Sequence, residues 1–205
     1  MQPQDILATA RAAILSESAS VAALVDQLDG HFVAVAQSLF ACQGHVLVAG
    51  SGTSNPVGAR LAHLLSCCGT PALFIHPGDS QHGLSGAVTD RDVLILISKG
   101  GETTEVNYLA RIARQRGATL VAFTEKPEST LGKLSHHVLR IQADPATDPY
   151  GMIATGSSLT VCAMADALCV AMLHLRGYTK ESFAQTHPGG AVGLQLAAEK
   201  KDDQA

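Results

Sequence analysis

The stretch over residues 92–114, DVLILISKGGETTEVNYLARIAR, constrains the fold of this chain most narrowly. It opens with a continuous apolar run at residues 93–97, which is too short for a typical helix and is typical of a strand buried on both faces. A glycine- and hydroxyl-rich segment follows at residues 98–105, and apolar residues then recur at helical spacing through Ala113. The stretch therefore predicts a strand, a turn and a helix in immediate succession.

A turn of this kind, at the start of a helix, can bind an anion. The first N–H groups of a helix have no partner within it, and small residues allow an anion to come close. We therefore expect a phosphate group here, with Ser98, Thr103 and Thr104 adding hydroxyl donors. The alternative is that these are ordinary turn and N-cap residues, and the turn alone does not decide between the two.

An earlier stretch has the same arrangement. Residues 45–49 predict a short buried strand, residues 50–54 (GSGTS) a second glycine and hydroxyl turn, and residues 56–66 an amphipathic helix. A dinucleotide-binding fingerprint would need a third glycine at a set spacing, for which Gly58 comes one position late, and an acid after the next strand, which residues 72–75 lack. The sequence therefore disfavours a dinucleotide site, and we expect no cofactor.

Strands alternate with helices along the rest of the chain. Further strands are predicted at residues 119–124 and 137–141, with a short helix at 129–134 between them and a long helix at 157–176 after them. This order predicts an α/β fold, a doubly wound five-stranded parallel sheet flanked by helices. Ligands of such sheets bind beyond the carboxyl ends of the strands, where both turns lie, so we expect one shared site.

The sequence divides into three regions. Residues 1–43 predict helices with a long apolar stripe, for which we favour a role in oligomerisation over packing on the same chain. Residues 44–196 form the α/β domain. Residues 197–205 are a charged tail that we expect to be frayed.

The composition argues against several classes of protein. The chain is 46% hydrophobic and 16% charged, as globular proteins are, and its net charge of −4 provides no basic face. We therefore expect neither nucleic acid nor membrane as a partner. No apolar run approaches the length that crosses a bilayer, and the first residues lack the pattern of a signal peptide, which predicts a cytoplasmic protein.

The cysteines and histidines predict no metal site. The five cysteines are an odd number scattered among apolar segments, without CxxC spacing or a zinc-type Cys/His cluster. Adjacent Cys67 and Cys68 are therefore interpreted as small buried hydrophobes, and a disulfide framework is not expected.

Several segments together resemble the sugar isomerase (SIS) phosphosugar-binding domain family. These segments are GHVLVAGSGTS, GTPALFIHPGDSQHG, DVLILISKGGETTE, EKPESTLGKLSHHVL and ADALCVAMLHLRGYTKESFAQTHPGGAVG, so the likeness extends to about Leu196. Within the family the chain is similar to arabinose 5-phosphate isomerases, without the CBS repeats that often follow their HPGGA segment. The resemblance implies a flavodoxin-like sheet, a sugar phosphate bound at the two turns, and a homodimer or homotetramer with sites shared between subunits.

The resemblance also implies roles for single residues. It gives phosphate contacts to Ser54, Ser98 and Thr103, and catalytic roles to Glu105 and His187, with His82 as a second histidine near the site. Aldose–ketose isomerisation needs a ring-opening acid/base and a base that moves a proton between C1 and C2 through an enediol. We favour Glu105 as that base and His187 for ring opening, with the reverse left open. The residues expected to contact substrate are Gly52, Thr53, Ser54, Ser98, Lys99, Gly100, Gly101, Thr103 and Asp148.

Three positions depart from the pattern of arabinose 5-phosphate isomerases. Thr53 stands where those enzymes have a lysine, Ala146 where they have a glutamate, and Gly100 where they have a serine. We infer a different, related sugar substrate. We hypothesise that Lys99 restores the cation, and that Asp144 or Asp148 replaces the carboxylate if its loop folds inward.

The leading interpretation is a phosphosugar aldose–ketose isomerase whose sugar is unidentified. The alternative is a noncatalytic sensor of a sugar phosphate, because SIS domains also serve in regulators and Thr53 and Ala146 are altered. A change of reaction, to lyase or deaminase chemistry, has no specific support in the sequence.

Overall fold

A five-stranded parallel sheet forms the centre of the protein, in the strand order β2-β1-β3-β4-β5. The computed structural model describes residues 2–202, and only the backbone of residues 201 and 202. The strands are β1 (Val46–Gly50), β2 (Ala72–Phe74), β3 (Val93–Ile97), β4 (Thr119–Thr124) and β5 (His137–Arg140). The predicted α/β fold is confirmed. Strands β3 and β4 have the bounds that the sequence predicts, whereas β1 begins one residue later and β5 ends one residue earlier.

The described residues form nine α-helices. They are α1 (Pro3–Ala22), α2 (Gly30–Ala41), α3 (Ser54–Cys67), α4 (Pro77–Ser80), α5 (Thr104–Gln115), α6 (Thr130–Leu134), α7 (Gly156–Leu175), α8 (Lys180–Thr186) and α9 (Gly190–Asp202). Short 3-10 turns add to them at Ala23–Gln27, Leu84–Ala87, Pro145–Thr147 and Pro149–Gly151.

Successive strand residues are buried on opposite faces of the sheet, which produces two hydrophobic cores. Ile95 and Ile97 pack with α2, α3 and α7 on one face. Leu94 and Leu96 pack with α5 and α6 on the other. Because helices cover both faces of the sheet, the strands are continuously apolar. The first turns of α3, α5 and α7 lie at the carboxyl edge of the sheet.

The charged tail is helical rather than frayed through Asp202, because α9 begins at Gly190 and crosses the predicted boundary at residues 196/197. An ion pair between Lys180 and Glu199 joins α8 to α9. Residues 203–205 lie outside the described part of the chain.

Helix α1 leaves most of its apolar residues exposed. Only Ser20 of α1 is buried, and Ile6, Leu7, Ile14 and Leu15 are each more than half exposed. Its C-terminal part packs on α7. The role in oligomerisation stays a prediction, and these residues supply an apolar surface for it.

Two helical segments are long and apolar enough to cross a bilayer by length and composition, Pro3–Gln27 and Gly156–Leu175. The prediction that no apolar run is long enough to cross a bilayer is therefore wrong. Alanines and hydroxyl residues extend the apolar stretches of these helices without adding charge. The second segment is α7, which packs against α2 and α3. A core helix of this kind passes the same test, so membrane insertion does not follow.

Candidate functional site

A pocket opens at the carboxyl ends of β1, β3 and β4. Its apolar floor comprises side chains from both strands and helices, among them Ile97, Phe123 and Val161. Its polar rim consists of Thr53, Ser54, Lys99, Thr124, Glu125, Ser157 and Ser158. The first turns of α3 and α7 contribute four of these side chains, so two helix N-termini meet at the pocket. The predicted residues Thr53, Ser54 and Lys99 are thereby brought together.

The turn after β3 is held by its own hydroxyl groups. The Gly101 N–H donates to Ser98 O at 3.0 Å and to Ser98 Oγ at 3.1 Å. Ser98 Oγ is also 2.8 Å from Thr103 Oγ1, and Ser98 is buried. Both hydroxyls are therefore engaged within the turn, and their predicted contacts with a phosphate stay predictions.

The segment around α6 braces the same turn from outside. The Leu131 N–H and Asn107 Nδ2 both donate to the carbonyl of Gly101, at 3.0 and 3.2 Å. Thr130 donates its N–H to Glu102 Oε1 at 2.8 Å, which lowers the pKa of that exposed carboxyl. Gly101 has φ 69°, and a Cβ there would lie 1.9 Å from Ser129 Oγ. Only glycine fits this position.

Unpaired backbone donors follow the braced turn. Among the hydrogen bonds of residues 2–202, none is donated by the N–H groups of Glu102, Thr103 or Thr104, where α5 begins. Thr103 is the N-cap of α5 and makes no side-chain capping bond. Free N–H groups at the positive end of a helix dipole can bind an anion.

The turn after β1 is more open. Ser54 donates its N–H to Ser51 O at 3.1 Å, and Asn55 donates to Gly52 O at 3.0 Å. Gly52 has φ 58°, and a Cβ there would meet no atom within 4 Å. Gly52 and Thr53 are exposed. This turn therefore borders the pocket, and no neighbouring segment among the described residues supports it in the way that the segment around α6 supports the turn after β3.

The loop before α7 folds inward and places Asp148 beside Lys99. Lys99 Nζ donates to Asp148 Oδ2 at 2.6 Å, and Ser157 donates its N–H and its hydroxyl to the same carboxylate at 2.9 and 2.6 Å. Burial acts to raise the pKa of Asp148, but the hydrogen bonds from Lys99 and Ser157 hold that pKa below its usual value. Asp144 remains exposed and accepts the N–H of Ala146, so Asp148 is the aspartate that lies at the site.

Glu125 is a pocket residue that the sequence analysis missed. Its N–H donates to the carbonyl of Lys99 at 3.0 Å, and its Oε1 lies 4.0 Å from Lys99 Nζ. The available signal was its place directly after β4, because the same argument predicted the two turns after β1 and β3. Thr124, Ser157 and Ser158 were missed as well.

Glu105 and His82 lie outside the residues that line the pocket. Glu105 is exposed in the first turn of α5, beside the unpaired N–H groups. His82 is exposed just after α4, which follows β2 and packs on α5. Both belong to elements at the carboxyl edge of the sheet, and their catalytic roles stay predictions.

His187 lies at the opposite end of α3 from Thr53 and Ser54. Its Nε2 is 3.6 Å from the Sγ of Cys67, the last residue of α3, and its ring stacks on Phe183 at 3.7 Å. A helix of 14 residues is about 20 Å long, at a rise of about 1.5 Å per residue. One chain therefore does not bring His187 to its own strand-end pocket.

Metal-binding clusters are absent from the described residues: no group of three or more His, Cys, Asp or Glu side chains is arranged to hold an ion. The cysteines are free, and all but Cys169 are partly exposed rather than buried, unlike the small buried hydrophobes predicted. Burial raises the pKa of Cys169 to about 12, so this thiol stays protonated at neutral pH.

Comparisons with known proteins identify relatives over the part of the chain that contains the sheet and its turns. The SIS domain family model matches residues 39–171. The arabinose 5-phosphate isomerases KdsD of Yersinia pestis and Pseudomonas aeruginosa are 37% and 35% identical over 88% and 98% of this chain. The chain spans 55% and 62% of the length of those two relatives.

Solved structures with the same fold include proteins related to sugar phosphates. A proposed sugar-phosphate isomerase of Listeria monocytogenes superimposes with a TM-score of 0.89 at 34% identity, over 92% of this chain and all of that one. An Escherichia coli CFT073 protein solved in complex with arabinose 5-phosphate superimposes with a TM-score of 0.88 at 29% identity, again over 92% of this chain and all of that one. The chain therefore belongs to the SIS domain family.

Proposed function

We propose that the chain is a phosphosugar aldose–ketose isomerase that acts through an enediol. The observation that carries this proposal is the set of unpaired N–H groups of Glu102, Thr103 and Thr104, next to a hydroxyl-lined pocket at the carboxyl edge of the sheet. Such N–H groups suit a phosphate, and the hydroxyls suit a polyol. The names of the relatives, arabinose 5-phosphate isomerase and sugar-phosphate isomerase, support the same reaction class.

The phosphate would bind at the turn over residues 98–104, where Gly100 is exposed and Gly101 is fixed in its backbone conformation. Glu105, one residue further into α5, would move the proton between C1 and C2. Its exposed carboxylate lies within the first turn of the helix whose N–H groups would hold the phosphate. The phosphate and the catalytic base would therefore be positioned by one rigid element.

His187 would act in the site of another subunit. Within one chain, α3 separates it from the strand-end pocket, so its ring-opening role requires a second copy. A homodimer or homotetramer with shared sites, formed through the apolar residues of α1, would meet this requirement. His82 would be the second histidine near such a site. A cytoplasmic location remains part of this proposal.

The substrate would be a sugar phosphate related to arabinose 5-phosphate but different from it. Thr53 and Ala146 carry no charge, whereas the cation and the carboxylate of this site come from Lys99 and Asp148. The side chain of Asp148 is 1% exposed and accepts from Lys99 and Ser157, so it would position Lys99 rather than contact the sugar, and the charges near the sugar would be those of Lys99 and Glu125. A different arrangement of hydroxyl groups would suit them.

Proton exchange in deuterated water tests the proposal. The purified protein would be incubated with C4 to C7 aldose and ketose phosphates, and NMR would follow deuterium at C1 and C2 together with interconversion. We expect exchange with one sugar, lost in Glu105→Gln and retained in the matched control Glu128→Gln, whose carboxylate is exposed and outside the pocket. Binding of a sugar phosphate without exchange would instead favour the sensor.

A further inference from the structure

Glu125 is an acidic side chain that lines the pocket at the carboxyl edge of the sheet, and its acceptors remain available to a ligand. Three nearby carboxylates are already engaged: Glu102 accepts from Thr130, Asp144 from Ala146, and Asp148 from Lys99 and Ser157. The Glu125 side chain is 20% exposed and lines the pocket. Among the described hydrogen bonds none reaches its carboxylate, and its nearest cation, Lys99 Nζ, is 4.0 Å away.

The charges around Lys99 define how a sugar phosphate can lie. One ammonium between the carboxylates of Glu125 and Asp148 leaves this cluster net negative. A dianionic phosphate is therefore disfavoured beside Glu125 and favoured at the unpaired N–H groups that begin α5. The two places adjoin, because the carbonyl of Lys99, within the turn, accepts the N–H of Glu125. A ligand bound by its phosphate at the turn can therefore place its other end near Glu125.

We propose that Glu125 contacts the C1–C2 end of the bound sugar phosphate and transfers the proton between its oxygens. This inference rests on the proposed isomerase function and adds a residue to that site. In the aldose-to-ketose direction, the hydrogen on C2 moves to C1 and the hydrogen on O2 moves to O1. The Glu125 carboxylate takes the proton from O2 and delivers it to O1, so no further reactant is consumed. Ile97 and Phe123, in the pocket floor, pack beneath the carbon chain and limit water at this end.

An epoxide phosphate tests the contact without any turnover. The probes are 1,2-anhydropentitol 5-phosphate and 1,2-anhydrohexitol 6-phosphate, in which the epoxide replaces C1 and C2 of the sugar. The experiment uses Glu105→Gln, so that Glu105 cannot capture the probe. An oxygen of Glu125 would attack the terminal epoxide carbon and form an ester. The epoxide C–O bond breaks, and its oxygen takes a proton from water.

Peptide mass spectrometry then locates the ester. We expect it on Glu125 with at least one probe, with protection by inorganic phosphate. A Glu125 that stays unmodified by both probes, or is modified equally in the presence of inorganic phosphate, overturns the proposal. The two failures are distinguishable. An absence of deuterium exchange with every sugar would contradict the proposed function and with it the proton transfer, whereas the ester tests the contact of Glu125 with the C1–C2 end without any isomerisation.

Steady-state kinetics with the sugar phosphate that shows exchange distinguish a Glu125 that transfers a proton from a Glu125 that only lies near the substrate. Glu125→Gln keeps the shape of the side chain but not its basicity, and we expect kcat to fall at least about 100-fold. Glu128→Gln, in the same connection but exposed, should leave kcat unchanged. An unchanged kcat in Glu125→Gln would also overturn the proposal.

Discussion

The turns after β1 and β3 look alike in sequence, yet they differ in how the structure supports them. Each joins a buried strand to a helix through glycines and hydroxyl residues, and each holds a glycine with positive φ, Gly52 or Gly101. The second turn is braced by Ser98, Asn107 and the segment around α6. The first turn has no side chain against its glycine.

Under the proposed function, the two turns would contact different parts of the ligand. A braced turn keeps its N–H groups aimed at one point, which suits the charged end of a ligand whose position must be reproducible. An open turn can adapt to hydroxyl groups that differ between sugars. Substitutions in each turn test whether the two turns contribute differently to the stability of the protein, as this interpretation requires.

Gly101→Ala should have the largest effect on stability. An alanine with positive φ and a Cβ 1.9 Å from Ser129 Oγ should lower the free energy of unfolding by about 3 kcal/mol, from backbone strain and overpacking together. Urea unfolding followed by circular dichroism measures this.

Gly52→Ala is the matched control, because its positive φ carries the same backbone strain without a clash. We expect a loss of about 1 kcal/mol. Equal losses in the two variants would mean that the brace around Gly101 does not restrict the turn.

Asp148→Asn should have the next largest effect. It removes the charge that pairs with Lys99 and that accepts from Ser157 in a buried place. Since Lys99 is 42% exposed and water compensates part of the loss, we expect about 2 kcal/mol by the same unfolding measurement. Asp144→Asn should change little, because asparagine also caps the Ala146 N–H. A smaller loss in Asp148→Asn than in Asp144→Asn would contradict the assignment of Asp148 as the inward aspartate.

Ser98→Ala should be milder. It removes the hydroxyl that accepts from Gly101 and pairs with Thr103, and we expect a loss of about 1 kcal/mol. Ser54 lies at the helix end of the first turn, where α3 begins, and the described hydrogen bonds include none from its side chain. Ser54→Ala should therefore stay within about 0.5 kcal/mol of the parent protein. If Ser54→Ala cost more than Ser98→Ala, the first turn would be the better braced one.

The smallest expected effect is a dependence of stability on pH that arises from Asp148, the partner of Lys99 in the second turn. The pKa of Asp148 is below its usual value of 3.8, so its contribution to stability is complete above about pH 4 and disappears as the pH falls through the folded-state pKa. The difference in unfolding free energy between the parent protein and Asp148→Asn should accordingly shrink on acidification. A difference that is constant, or that grows, would exclude the charged pair as its source.

Much of the fold follows from local patterns. Strand β3 is an apolar run bounded by Asp92 and by Ser98–Lys99–Gly100, so its ends can be read without knowing its neighbours. Helix α9 was not predicted, and its last residues were interpreted as a charged, frayed tail. Its helical form coincides with the ion pair between Lys180 and Glu199, which a single stretch of sequence does not reveal.

The site was predicted less completely. Thr53, Ser54 and Lys99 were predicted because they belong to the turns after two predicted strands and to segments that resemble the family. Glu125 also follows one, but its segment lacks the glycines that drew attention to the other two turns. The separation of His187 from the pocket could not be predicted, because it depends on the direction in which α3 runs back along the sheet.

The alternation of buried strands and helices, and with it the edge at which a ligand would bind, follows from the sequence alone. Burial of apolar residues and the backbone needs of turns are properties of a few adjacent residues. The pairing of Lys99 with Asp148, 49 positions away, rather than with Asp144, follows only from the folded arrangement. The physical reason is that the contact depends on the packing of the loop before α7 against β3 and β4, and distant segments meet only after the sheet has formed.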